Sequence, residues 1–214
     1  MAPLAVIPVK EADLPSLSTV VLRAFHRGNE HFRMTFPDTP LMRRWWSRLL
    51  HDAIDDPEYR VLSIVEVNES HGARLAVALL LLRRIEADGS GENVFDRHPI
   101  TVDHDQTRYA AMLDGSISGP REQYMKGQRH FSLDLFGVDD AYQGTGLGTK
   151  LLQEACGIAD AEDADIFVQA NVYARAFYEK RGFECVEEVV LPGPEAYREV
   201  FMIYRAGQQR EKQK

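Results

Sequence analysis

A chain of 214 residues suits one large domain with room for an insertion. Hydrophobic residues make up 44% and charged residues 27%, the balance of a chain able to bury an ordinary globular core. A net charge of -8 argues against the backbone-phosphate contacts that dominate nucleic-acid affinity, and leaves room for a cationic small-molecule partner.

The opening "MAPLAVIPVKEADLP" has no long apolar stretch and no basic leader, and a soluble, cytoplasmic protein without a membrane partner is the simplest reading. "LAVIPV" reads as a first strand. "EADLPSLSTVVLRAFHRG" follows as an amphipathic helix that Gly28 can stop. "TPLMRRWWSRLLHDAIDD" is predicted as a second helix with Pro40 near its start. "EYRVLSIVEV" and "RLAVALLLLRRI" are strands joined by the polar "NESHGA". The run Leu75–Leu82 is far short of the roughly 20 residues a membrane span needs, so it reads as a buried strand. Residues 86 to about 128 form an insertion or lid, with a weak helical pattern broken by Gly and Pro.

The second half is regular. "HFSLDLFGV" is a strand, and "QGTGLGTKLLQEACGIADAED" is a turn running into a helix. "DIFVQA" is a buried strand, and "VYARAFYEKRGF" a short helix ended by Gly182. "ECVEEVVL" and "REVFMIYRA" close the chain as strands before a polar tail, 207–214. The sum is a mixed α/β (α+β) layer. Cys156 and Cys185 read as buried inert thiols. His26, His31, His51, His71 and His98 lack metal-ligand spacing, so no metal is expected.

Gly144, Gly146 and Gly148 stand between a strand and a helix. Glycines there let the backbone take positive φ and approach a ligand, while the helix start offers free amides and a positive dipole end. A phosphate or pyrophosphate is the natural guest. The dinucleotide fingerprint fails at Thr149, and the ATP-type loop fails at Thr149 and Leu151.

Gln143-x-x-Gly146-x-Gly148 instead resembles the Q/R-x-x-G-x-G/A signature of the GNAT superfamily of acyl-CoA-dependent N-acetyltransferases. Val138 resembles the small apolar residue that closes the strand before it. Downstream, "NVYARAFYEKRGF" resembles the second segment of that family, with Asn171, Ala174, Tyr178, Gly182 and Phe183 on its spacing. The resemblance is specific over residues 130 to 185. It implies one GNAT-type domain over 1–206, with a mixed, mostly antiparallel central sheet, helices on both faces and two splayed parallel strands.

The implied ligand is acetyl-CoA, its pyrophosphate on Gln143, Gly144, Thr145, Gly146, Leu147, Gly148 and Thr149. Its pantetheine arm would lie between "HFSLDLFGV" and "DIFVQA", pairing with strand-edge amides as an added strand does. Asn171 resembles the side chain that bonds this arm, with Ala174 beside it. A backbone N–H near Phe136 to Val138 would polarise the thioester carbonyl. Tyr178 matches the family tyrosine that acts as general acid on the departing thiolate; spacing alone favours a packing residue beside Phe177 and Phe183.

Related enzymes carry a Glu or His base at positions matching Ser132 or Asp134. Strand alternation puts His130, Ser132 and Asp134 on one face, and Asp134 is the candidate base, directly or through water, or else binds the substrate ammonium or bonds to nearby backbone. Phe32, Phe36, Trp45, Trp46, His104 and Tyr124 are pocket candidates. Phe36, Trp46, His130 and Ser132 are the substrate-contact choices, although the paired tryptophans also suit a core.

Three readings stand open: transfer to a small primary amine, transfer to a protein lysine or N-terminus, or an acyl-CoA sensor without turnover. A monomer and a homodimer are both compatible with the sequence.

Overall fold

In the computed structural model, residues 4–67, 74–113, 118–191 and 197–207 are described. The elements run β1 (Val6–Pro8), α1 (Leu14–His26), α2 (Glu30–Thr35), α3 (Pro40–Asp55), β2 (Tyr59–Val67), β3 (Arg74–Ile85), α4 (Gln106–Leu113), α5 (Ser118–Met125), β4 (His130–Val138), α6 (Leu147–Glu162), β5 (Asp165–Asn171), α7 (Arg175–Glu179), β6 (Phe183–Val190) and β7 (Arg198–Tyr204). Seven strands form one sheet in the order β1-β2-β3-β4-β5-β7-β6. It is mostly antiparallel, with β4 and β5 parallel. No described helix is long and apolar enough to cross a membrane.

The chain divides into two compact units. The first comprises Met1–Leu82, Glu92–Gln106 and Leu135–Glu154. Its helices α2 and α3 start where the sequence supplies caps. Thr39 accepts the Met42 amide and Pro40 opens α3, since an N-cap oxygen satisfies a free amide and proline loses nothing at a first helical position. Met42, Trp45, Trp46, Leu49, Leu50 and Ala53 then fall on one buried stripe. α2 lies in a stretch the sequence pattern passed over. Asn29 caps it by accepting the Phe32 amide at 2.9 Å.

The second unit comprises Arg83–Gly91, Thr107–Asp134 and Ala155–Lys214. The parallel ladder joins His130–Leu133 to Asp165–Val168, and β5 continues to Asn171. β7 pairs with β5 along its length, and β6 pairs with β7 through a bulge between Cys185 and Glu187. The insertion contributes α5 to this unit. Its Met125 packs with Phe167, Phe201 and Ile203, and the Tyr124 hydroxyl donates to the Val186 carbonyl at 3.2 Å. The Gly and Pro break expected in the insertion falls partly outside the described residues, as do most of the tail and the "NESHGA" turn. Cys156 is buried, and burial pushes its thiol up to about 12, which suits an inert side chain; Cys185 is half-buried.

Gly137, near the end of β4, is set by crowding. A Cβ there would lie 2.8 Å from the Ala24 Cβ and 3.2 Å from the Phe25 ring on α1. Gly137→Ala is expected to lower stability by about 1–3 kcal/mol, the cost of forcing a methyl into a packed contact. Chemical denaturation should read this as a lower midpoint at unchanged slope.

Candidate active site

The glycine loop belongs to the first unit. β4 ends at Val138, a short 3-10 turn covers Asp140–Tyr142, and α6 begins at Leu147. Asp139 ties the turn down. Its amide donates to the Val77 carbonyl at 2.9 Å, its carboxylate accepts the Ala141 amide at 3.0 Å, and Arg23 pairs with it at 3.4 Å. The Tyr142 hydroxyl donates to Glu66 at 2.7 Å, and Thr145 donates to the Tyr142 carbonyl at 2.6 Å. The Gln143 amide donates back to the Val138 carbonyl at 3.1 Å.

Gly144 and Gly146 take φ of 78° and 90°, the left-handed region that favours glycine. A Cβ at either would meet no atom within 4 Å, so backbone conformation and not crowding demands glycine here. Gly148 has ordinary helical geometry inside the first turn of α6, unlike its two neighbours. The Gly146 carbonyl accepts the Lys150 amide, the first bond of the helix, and the first amides of a helix have no acceptor within it. An open, positive-φ turn running into a helix N-terminus fits a pyrophosphate group. Phe136 and Val138 are half-buried at the end of β4.

Asn171, Ala174 and Tyr178 belong to the second unit. The Asn171 side chain accepts the Ala174 amide at 3.0 Å, which fixes the turn from β5 into α7. Tyr178 on α7 is 3% exposed, and its ring meets Phe177 at 5.5 Å and Phe183 at 5.1 Å. Burial, with Cys156 nearby, pushes its phenol well above the usual range, so it stays a proton donor at neutral pH.

The face of β4 that carries His130, Ser132 and Asp134 also lies in this unit. Ser132 donates to Asp134 at 2.5 Å. Asp134 is engaged by Arg83, whose Nε and Nη2 donate to its two oxygens at 2.7 and 3.2 Å. Arg83 is 2% exposed, and its Nη1 donates to the Gly91 carbonyl at 2.7 Å. His130 is buried, its Nδ1 is 2.8 Å from the Gln128 carbonyl, and burial holds its pKa below the usual histidine range. Sequence reasoning missed Arg83, whose signal was an arginine ending an apolar run. It also missed Glu199 and Gln169. Glu199 is 4% exposed and accepts a hydrogen bond from the Gln169 amide. The signal for it was a carboxylate alternating with Phe201 and Ile203 on a strand.

Of the aromatic candidates, Tyr124 sits with α5, and the others cluster in the first unit. Phe36 and Trp46 approach to 5.2 Å, Phe32 and Phe36 to 4.7 Å, and Trp45 and His104 to 4.8 Å. Both tryptophans are buried, and the Trp45 indole donates to the Pro99 carbonyl at 3.0 Å. Among the described residues no group of three or more His, Cys, Asp or Glu side chains lies where it could hold a metal ion.

Residues 97–191 match the family model described as an acetyltransferase (GNAT) domain. No curated protein matches the chain. Among solved structures, a mosquito arylalkylamine N-acetyltransferase like 5b is 13% identical over 95% of this chain and 100% of that one, with a TM-score of 0.63. The ribosomal-protein-S18-alanine N-acetyltransferase of Escherichia coli is 14% identical over 96% and 97%, with a TM-score of 0.55. Arabidopsis thaliana NAA60 in complex with acetyl-CoA is 13% identical over 95% and 98%, with a TM-score of 0.58. At such identities the likeness is one of fold. Residues 97–191 are thus similar to a GNAT acetyltransferase domain, and the chain shares the fold of these N-acetyltransferases.

Proposed function

We propose that the protein moves an acetyl group from acetyl-CoA to the primary amine of a small molecule by direct attack in a ternary complex. The observation that carries the small acceptor is the seat of α5. Met125 packs on Phe167, which pairs with Ser132 across the β4–β5 ladder and shares its side of the sheet. A helix resting on the face that holds Ser132 and Asp134 favours a compact acceptor over an extended peptide. The solved relatives are named for arylalkylamine and for protein acceptors alike, so the fold is neutral on this choice.

In this reading the amides from Gln143 to Thr149 receive the pyrophosphate, and Asn171 and Ala174 flank the pantetheine arm. The ladder's end at Leu133 and Val168 agrees with strands that part to admit it. The amine nitrogen attacks the thioester carbonyl carbon, a backbone N–H near Phe136 to Val138 polarises the carbonyl oxygen, and the C–S bond breaks. Tyr178 gives its proton to the leaving sulfur. The ammonium sheds two protons in all; one is matched by the new thiol and one reaches solvent. Phe36, Trp46 and His130 are secondary candidates for acceptor contact. Asp134 can take the ammonium proton only by giving up its ion pair with Arg83, and stripping a partner from a buried pair costs about 3–5 kcal/mol. We therefore give Asp134 the task of orienting Ser132 toward the acceptor.

Calorimetric titration with acetyl-CoA tests the cradle. Wild type should bind, whereas Gly146→Glu and Thr145→Glu should bind at least tenfold more weakly, because each places a carboxylate where the phosphates sit. Thr145→Glu carries no positive-φ strain and separates repulsion from loop distortion. Binding by both variants at the wild-type level would remove the phosphate assignment.

Tyr178→Phe should keep acetyl-CoA affinity and lower kcat about 100-fold or more, the scale of a lost general acid. An unchanged kcat would leave Tyr178 as a packing residue.

A further inference from the structure

Three carboxylates buried in this chain have a cation beside them: Asp13 has Arg74, Asp139 has Arg23 and Asp134 has Arg83. Glu199 is buried with no cationic partner among the described residues. It lies on β7, opposite Asn171 of β5 and Val189 of β6, on the side that carries Phe201 and Ile203. The Gln169 amide donates to its Oε2, and the Gln169 carbonyl oxygen is buried without a hydrogen bond. Two adjoining side chains thus present acceptor oxygens that the protein does not fill. An ionised acid buried in this way is costly unless something pairs with it.

We infer that Glu199, with the Gln169 carbonyl oxygen beside it, seats the primary ammonium of the acetyl acceptor and takes its proton. An alkylammonium brings three N–H donors and one positive charge, which is what these oxygens lack. On this side of the sheet Val189 stands opposite Glu199 and Phe201 follows it along β7, both apolar, while Asn171 is its polar partner in register, so the acceptor is an amine with one cationic head and an apolar body. The N–H bond breaks toward the Glu199 carboxylate, and the freed nitrogen pair attacks the thioester carbon. The C–S bond then breaks toward sulfur, which takes the Tyr178 proton. The second nitrogen proton restores the phenol through solvent, and Glu199 releases its own proton to solvent. The inference rests on the acetyl-transfer reading above.

Burial pushes the Glu199 carboxyl up to about 7, opposed in part by the Gln169 bond. That suits a base working near neutrality. The charged and titratable groups on the neighbouring elements include Glu184, Cys185, Glu187 and Glu188 of β6, Arg198 of β7, Arg121, Glu122 and Tyr124 of α5, Arg83 of β3, and His130 and Asp134 of β4; burial is the larger cause of the Glu199 shift and the Gln169 hydrogen bond the smaller. Between its unfolded value of about 4.5 and its folded value of about 7, the native state holds a proton that the unfolded chain has released. Stability therefore falls as pH rises through that window, and the penalty is complete above it.

The test compares wild type with Glu199→Gln and Glu199→Asp. Melting temperature is followed from pH 5 to pH 8.5, acetyl-CoA binding by calorimetry, and CoA release with phenethylamine and with 1,4-diaminobutane across the same pH range. Glu199→Gln should bind acetyl-CoA as wild type does, gain in melting temperature over wild type as pH rises, and lose about 100-fold or more in kcat. The acidic limb of its rate profile near pH 7 should flatten, with Glu199→Asp restoring part of the rate. Phenethylamine should outperform the diamine in wild type. Wild-type kcat and an intact acidic limb in Glu199→Gln, beside normal acetyl-CoA binding, would overturn this inference and leave acetyl transfer standing. A melting temperature that collapses at every pH in Glu199→Gln would overturn it as well, making Glu199 structural. Wild type that binds no acetyl-CoA would overturn the acetyl-transfer reading, and the base assignment with it.

Discussion

A guanidinium taken out of water needs a counter-charge and hydrogen-bond acceptors, and in the second unit Arg83 obtains both. Asp134 answers its Nε and Nη2, and the Gly91 carbonyl answers its Nη1. The second contact requires the chain leaving β3 to turn back at once. The Ser90 carbonyl accepts the Glu86 amide, and Gly91 follows with φ of 122°. A Cβ on Gly91 would come within 2.5 Å of the Arg84 carbonyl oxygen, so the return demands glycine on two counts. On the other side of the pair, Asp134 fixes the hydroxyl of Ser132. A single buried charge thereby sets the exit of one strand and the polar face of another.

Asp134 and Glu199 show how environment sorts two carboxylates. Asp134 faces a permanent cation, and its charge is part of the core. Glu199 faces an amide and apolar side chains, and burial works against its charge. The first is suited to holding geometry, the second to exchanging a proton. Spacing along the chain could not separate them, because each is a carboxylate in a strand of alternating pattern.

What the sequence made legible follows the range of the forces involved. The strands, the long helices and the turn before α6 were readable because periodicity, caps and glycine density are local. The GNAT-type α/β architecture followed from two such segments in order, 143–148 and 171–183. α2 was passed over although Asn29 supplied its cap, because six residues hold too little pattern to register. Arg83 passed as one residue of the strand "RLAVALLLLRRI", since its partner lies 51 residues away. Glu199 was folded into a strand assignment, since its meaning depends on what is missing around it. Trp45 and Trp46 read as a pocket-or-core choice, and the structure puts both in a buried aromatic cluster.

The same limit applies to glycine, where one letter stands for two physical demands. Gly137 makes room for α1: a side chain there would strike Ala24 and Phe25. Gly144 and Gly146 have open space around them and are constrained by φ alone. Packing fixes the first, so its replacement acts on stability through overpacking. The other two are fixed by φ, so their replacement acts through backbone strain and not through a clash. The letter is the same in all three places, and only the fold tells the crowded glycine from those held by φ.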